Sequence, residues 1–125
     1  TRAFLEDVFP GYTHFVTNVS QVQSLPATWV SALRAARGIY LLTSAKTKEQ
    51  YVGSATGEGG FFGRWMNYAQ DGHGGNLCLK SSEPGDYQVS ILEVSGSAAT
   101  VDEIRSIEQL WKRKLQSREM GLNRN

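Results

Sequence analysis

Two tyrosines, Tyr40 and Tyr51, occupy β-prone runs, Gly38-Ile39-Tyr40-Leu41-Leu42-Thr43 and Gln50-Tyr51-Val52-Gly53-Ser54. The polar stretch Ser44–Glu49 between them reads as a hairpin loop. With Tyr40 opposite Tyr51, both phenols emerge on one sheet face, because side chains alternate with a period of two. A phenol donates and accepts hydrogen bonds but, with an ordinary pKa near ~10, is a poor base at neutral pH. Downstream, Arg64 and Tyr68 stand four apart on a helix expected from about Phe61 to Gln70, and so share one of its faces. Trp65 turns from that face toward apolar packing. Each residue alone has a plain structural reading: tyrosine is favoured in strands, and a single arginine is most often a surface group.

The elements that must hold these groups follow from pattern. Pro26 stands at a helix start, with Trp29, Val30, Leu33 and Ala36 at helical spacing, and a short strand is expected within His14–Val19. Tyr87–Val94 alternates as a third strand, with Tyr87, Val89, Ile91 and Glu93 on one face. Thr100 and Glu103 form a capping box opening a helix whose apolar stripe is Ile104, Ile107, Leu110, Trp111 and Leu115, with the stem of Lys114 along its edge. The 125 residues, 40% hydrophobic and 20% charged, suit one globular domain, and no apolar run approaches a membrane span.

Other chemistries lack their residues. Cys78 is the single cysteine and His14 and His73 are far apart, so zinc-ligand spacing is missing and an internal disulfide is excluded. Cys78 among apolar neighbours fits a reducing compartment, hence an expected cytoplasmic location. Ser54–Gly60 is glycine-rich but has neither a P-loop ending nor Rossmann spacing, and reads as a connector. A formal charge of +1 announces no nucleic-acid partner, but from Arg105 onward six basic residues face two acidic ones.

Gly38-Ile39-Tyr40 followed by Tyr51-Val52-Gly53 resembles the paired signature of the GIY-YIG nuclease family. The resemblance implies an arginine on the next helix, a glutamate on a later one and an asparagine after it. Arg64, Glu108 and Asn123 stand in that order. Tyr68 matches the histidine or tyrosine that members carry one turn after the arginine, and His73 lies where some phage homing endonucleases of the family have a histidine. The match spans 38–125, and the preceding 1–37 resemble the extension of a bacterial subgroup.

Together these imply an α+β fold, a central three-stranded, mainly antiparallel sheet flanked by helices, with residues 1–37 as an N-terminal strand and helix extension packed on a nuclease domain of 38–125. The implied activity is DNA hydrolysis with one Mg²⁺ or Mn²⁺ ion at Glu108. Arg64 would stabilise the phosphate, Tyr40 would act as general base and Tyr51 would orient water or phosphate. Tyr68 would add a phosphate contact, His73 would assist the base, and Asn123 would brace the site. Lys112, Arg113, Lys114 and Arg124 are expected backbone contacts. Further domains outside this chain would choose the target. Ser54 stands where some family restriction enzymes carry a lysine that helps the base, which favours, as a second reading, a binding module of the same fold. A protein-interaction domain, resting on Trp29 and the extension, is the third.

Overall fold

The computed structural model describes residues 8–71, 87–96 and 98–123; Cys78 lies outside them. The two β-prone runs form strands β2 (Arg37–Ser44) and β3 (Gln50–Ala55), paired antiparallel. Their register sets Tyr40 opposite Gly53 and Leu42 opposite Tyr51. The expected Tyr40–Tyr51 opposition is thus two residues off. Two residues is the side-chain period, so both phenols still enter the same core.

Strand β4 (Tyr87–Ser95) pairs antiparallel with the other edge of β2, and β1 (Val16–Asn18) pairs antiparallel with β4. The sheet order is β1-β4-β2-β3, four strands where three were expected. The extra strand comes from the N-terminal segment, which covers hydrogen-bonding groups that β4 would otherwise present as a bare edge. The alternation expected along β4 also breaks. Tyr40 pairs with Ile91 but Ile39 pairs with Glu93, so Leu92 is the additional residue of a β-bulge. The bulge moves Glu93 off the face of Tyr87, Val89 and Ile91. Its Oε1 instead accepts a 2.9 Å hydrogen bond from Trp111 Nε1.

Both faces of the sheet are covered, which explains why β2 reads as an almost unbroken apolar run. On one face lie helix α1 (Ala27–Ala35), helix α2 (Gly60–Asp71) and the 3₁₀ turn Val19–Ser24, packed on Tyr40, Leu42, Tyr51 and Val89. Phe15 stacks on Trp65 with ring centres 5.7 Å apart, tying the N-terminal segment to α2. The other face, Ile39, Leu41, Val52 and Leu92, receives helix α3 (Val101–Leu115) through Ile104, Ile107, Trp111 and Leu115. Leu110 departs from the expected stripe and is 42% exposed, a position turned away from the sheet. The capping box forms as read: Thr100 accepts from the Glu103 backbone and Glu103 accepts from the Thr100 N–H. Gln116, in the left-handed region at φ 54°, ends α3 and turns the chain into the short helix α4 (Ser117–Met120).

One glycine sets the direction of α2, and with it the Arg64 side chain. Gly60 has φ +60°, and a Cβ there would run into the carbonyl oxygens of Leu33, Arg34 and Ala36 at the end of α1. The adjacent Phe61 N–H donates to Ala36 O at 3.1 Å, closing the junction. Gly60→Ala is therefore expected to destabilise the protein by about 2–4 kcal/mol. Gly57→Ala, whose Cβ would meet nothing within 4 Å, should change stability by less than about 1 kcal/mol. Urea denaturation of both variants checks this, and equal midpoints would contradict the junction's role.

Candidate active site

Tyr40 is fully buried, and its ring lies across β3. A Cβ on Gly53 would sit 2.5 Å from the tip of that ring and from its hydroxyl, so a residue with no side chain is required opposite Tyr40. Across this gap the Tyr40 hydroxyl accepts a 3.2 Å hydrogen bond from Arg64 Nε and shares a 2.8 Å hydrogen bond with the Tyr68 hydroxyl. Arg64 and Tyr68 come one turn apart from α2, and the guanidinium carbon stands 5.2 Å from the centre of the Tyr68 ring. Three side chains from two elements thereby fix one another.

Their protonation follows from burial. Burial pushes the Tyr40 phenol up from 10.0 to about 12, although Arg64 beside it pulls it down. Tyr68 is also raised, first by burial and then by Tyr40. Burial works against the charge of Arg64, but the oxygens of Tyr40 and Tyr68 outweigh it, so Arg64 keeps its proton. At neutral pH the cluster is one cation held by two neutral phenols. The expected general-base role of Tyr40 meets a physical obstacle here, since a base must first lose its proton and burial makes that harder.

In front of Arg64 opens a polar cleft of about 570 Å³. Tyr51 and Ser54 of β3, Arg64 and Asn67 of α2, and Arg105 and Glu108 of α3 line it. Arg64 and Glu108 come from helices on opposite faces of the sheet and meet at its β3 edge. Tyr51, Arg64 and Glu108 are thus gathered at one cleft, with Tyr40 and Tyr68 packed behind Arg64. Tyr68, expected as a phosphate contact, is 1% exposed and shares its hydroxyl hydrogen bond with Tyr40. His73 and Arg124 lie outside the described residues.

Asn123 is fully buried. Its Oδ1 accepts from the Val52 N–H at 2.8 Å and its Nδ2 donates to the Val52 carbonyl at 3.0 Å. The side-chain amide therefore pairs with β3 as a neighbouring strand would, and Ser117 Oγ donates to the same Oδ1. This is a brace for the strand that carries Tyr51 and Gly53.

Two features of α3 escaped the sequence reading. Arg105, one turn before Glu108, faces the cleft. Lys112, expected as a DNA contact, is 2% exposed, and its Nζ stands 2.9 Å from Glu108 Oε2. A buried lysine cannot serve as a surface backbone contact, so that expectation fails. Spacing was the available signal, since residues 105, 108 and 112 fall on one helical face. Lys114 is exposed and covers the Trp111 ring at 4.7 Å.

Among the described residues, groups of three or more His, Cys, Asp or Glu able to hold a metal ion are absent. Glu108 is the carboxylate at the cleft. A single carboxylate on an open, polar cleft fits an ion such as Mg²⁺, which retains most of its shell as water and substrate oxygens. Among the described residues the cleft offers no second carboxylate for a two-metal cluster.

Among solved structures, the chain is similar to the catalytic domain of homing endonuclease I-TevI, at 26% identity and a TM-score of 0.55 over 70% of this chain and 96% of that domain. The chain has the GIY-YIG nuclease fold. The fold expected from the family resemblance thus has a counterpart among solved structures. No protein-family model and no curated protein matches the sequence. No helix among the described residues is long and apolar enough to cross a membrane.

The buried phenols give the fold a pH dependence of definite sign. Between its ordinary value of 10.0 and the folded value of about 12, Tyr40 holds a proton that the unfolded chain releases. Its contribution to stability is intact below pH 10 and is lost as pH rises through about 12, with Tyr68 acting in the same direction. Urea melts from pH 8 to pH 12 should show stability falling from near pH 10, and Tyr40→Phe should flatten that fall. A wild-type stability unchanged to pH 12 would contradict the buried-phenol assignment.

Proposed function

We propose that the chain is a divalent-metal-dependent endonuclease domain that hydrolyses DNA phosphodiester bonds at the cleft between Arg64 and Glu108. The observation that carries this reading is the meeting of Arg64 and Glu108, from opposite faces of the sheet, at one polar cleft beside Tyr51. Glu108 would hold one Mg²⁺ or Mn²⁺ ion. Such an ion, when bound, supplies charge neutralisation at the phosphate and a more acidic water.

The protein's own groups supply the rest. Arg64, kept charged and oriented through its Nε bond to Tyr40, binds the scissile phosphate and meets the charge that grows on its oxygens. Tyr51 orients water or phosphate through its hydroxyl. Arg105 contacts a neighbouring backbone phosphate from the α3 wall. The Tyr40 phenolate would take the proton of the attacking water, a form scarce at neutral pH because the phenol stands at about 12 even with Arg64 pulling it down. DNA is the substrate by analogy with the homing endonuclease.

A second reading, a nucleic-acid-binding module of the same fold, is favoured by the buried, protonated Tyr40 and by Ser54 beside the second motif. Plasmid cleavage with Mg²⁺ or Mn²⁺ separates the two. On the leading reading, Glu108→Gln and Arg64→Ala each lower the cleavage rate by about 10²–10³-fold while duplex binding persists. Binding without any metal-stimulated cleavage by the wild-type chain would instead establish the module.

A further inference from the structure

The Glu108 carboxylate already has a cation. Lys112, one turn along α3, places its Nζ 2.9 Å from Glu108 Oε2, and the lysine is 2% exposed whereas Glu108 is 15% exposed. The pair is asymmetric. Its acidic end reaches the cleft, and its basic end is embedded behind it.

A surface lysine at this spacing would be an ordinary helix ion pair of little consequence. Burial changes that. An ammonium taken out of water needs a fixed acceptor, and its field is screened less than that of a solvated charge. Glu108 is therefore held in one orientation by a neighbour that does not diffuse away. The same neighbour places a permanent positive charge next to the oxygens on which a divalent ion would sit. Arg64 and Arg105 add two more positive charges on the cleft wall, against the single carboxylate.

We propose that Lys112 is a built-in counter-cation that positions Glu108 and holds down the affinity of the cleft for a divalent metal until an anionic phosphate arrives. The inference rests on the reading of Glu108 as the metal ligand. The positive charges that oppose a bare ion attract a phosphodiester, so the ion binds well only together with one. Metal and nucleic acid become mutually dependent, each raising the other's affinity by the same factor. Lys112 is thus a positioning residue that tunes the ligand and does not touch substrate.

The test is Mn²⁺ binding measured by calorimetry or by electron paramagnetic resonance on the wild-type chain, Lys112→Met, Lys112→Gln and Glu108→Gln, with a thermal melt of each. The expected result is Mn²⁺ affinity raised about tenfold or more in Lys112→Met and Lys112→Gln, the effect of deleting one nearby unit charge even under water-like screening. Glu108→Gln should abolish the binding. A short, uncleavable phosphorothioate duplex should raise Mn²⁺ affinity more in the wild-type chain than in Lys112→Met. A purely structural lysine gives the opposite sign, since both variants would melt lower and bind Mn²⁺ more weakly. Unchanged or weakened Mn²⁺ binding in the Lys112 variants, with wild-type binding that depends on Glu108, overturns this inference alone. Mn²⁺ binding that survives Glu108→Gln, or is absent from every variant with and without duplex, overturns the metal role of Glu108 and the inference with it.

Discussion

The hydrogen bond from Arg64 Nε to the buried Tyr40 hydroxyl is the contact on which the cleft depends. It needs three things at once. Gly53 must leave room for the Tyr40 ring, α2 must leave Gly60 at the angle that brings Arg64 over β3, and Tyr68 must supply the second partner that keeps the phenol from being stranded. A buried hydroxyl without partners would be costly, and a half-buried guanidinium without acceptors more so. Each group satisfies the others, and the result is a fixed positive charge at the edge of a sheet.

The opposite wall is built on a similar logic with the signs reversed. Glu108 is held by an ammonium embedded under α3, as Arg64 is held by phenols embedded under α2. Between the two walls runs β3, whose backbone at Val52 is clamped by the Asn123 amide after the chain has doubled back through α4. The cleft therefore joins four parts of the chain that are remote in sequence. Its walls can keep their spacing because the strand between them is paired on one edge by β2 and at Val52 by a side chain.

Much of this was legible from residue order, for identifiable reasons. Period-two placement put Tyr40 and Tyr51 on one face whether or not their register was right, and helical spacing joined Arg64 to Tyr68. The capping box announced the start of α3 from Thr100 and Glu103 alone. The misreadings came from long-range packing. Leu92 gives no local sign of a bulge, yet that one added residue moves Glu93 to the α3 side and to Trp111. The strand at Val16–Asn18 is too short to declare which edge it joins. Lys112 looked solvated because lysine usually is, and only the depth of α3 against the sheet buries it. The depth of Tyr40 was equally hidden, and with it the upward push on the phenol.

On the proposed function, one metal ion held by Glu108 would face Arg64 across this cleft. Anomalous scattering from Mn²⁺-soaked crystals grown with a short, uncleavable duplex measures it most directly. The expected result is a single Mn²⁺ peak against the Glu108 carboxylate inside the cleft, with a phosphate between it and Arg64. Two adjacent peaks there, or Mn²⁺ bound only elsewhere on the protein, would contradict it.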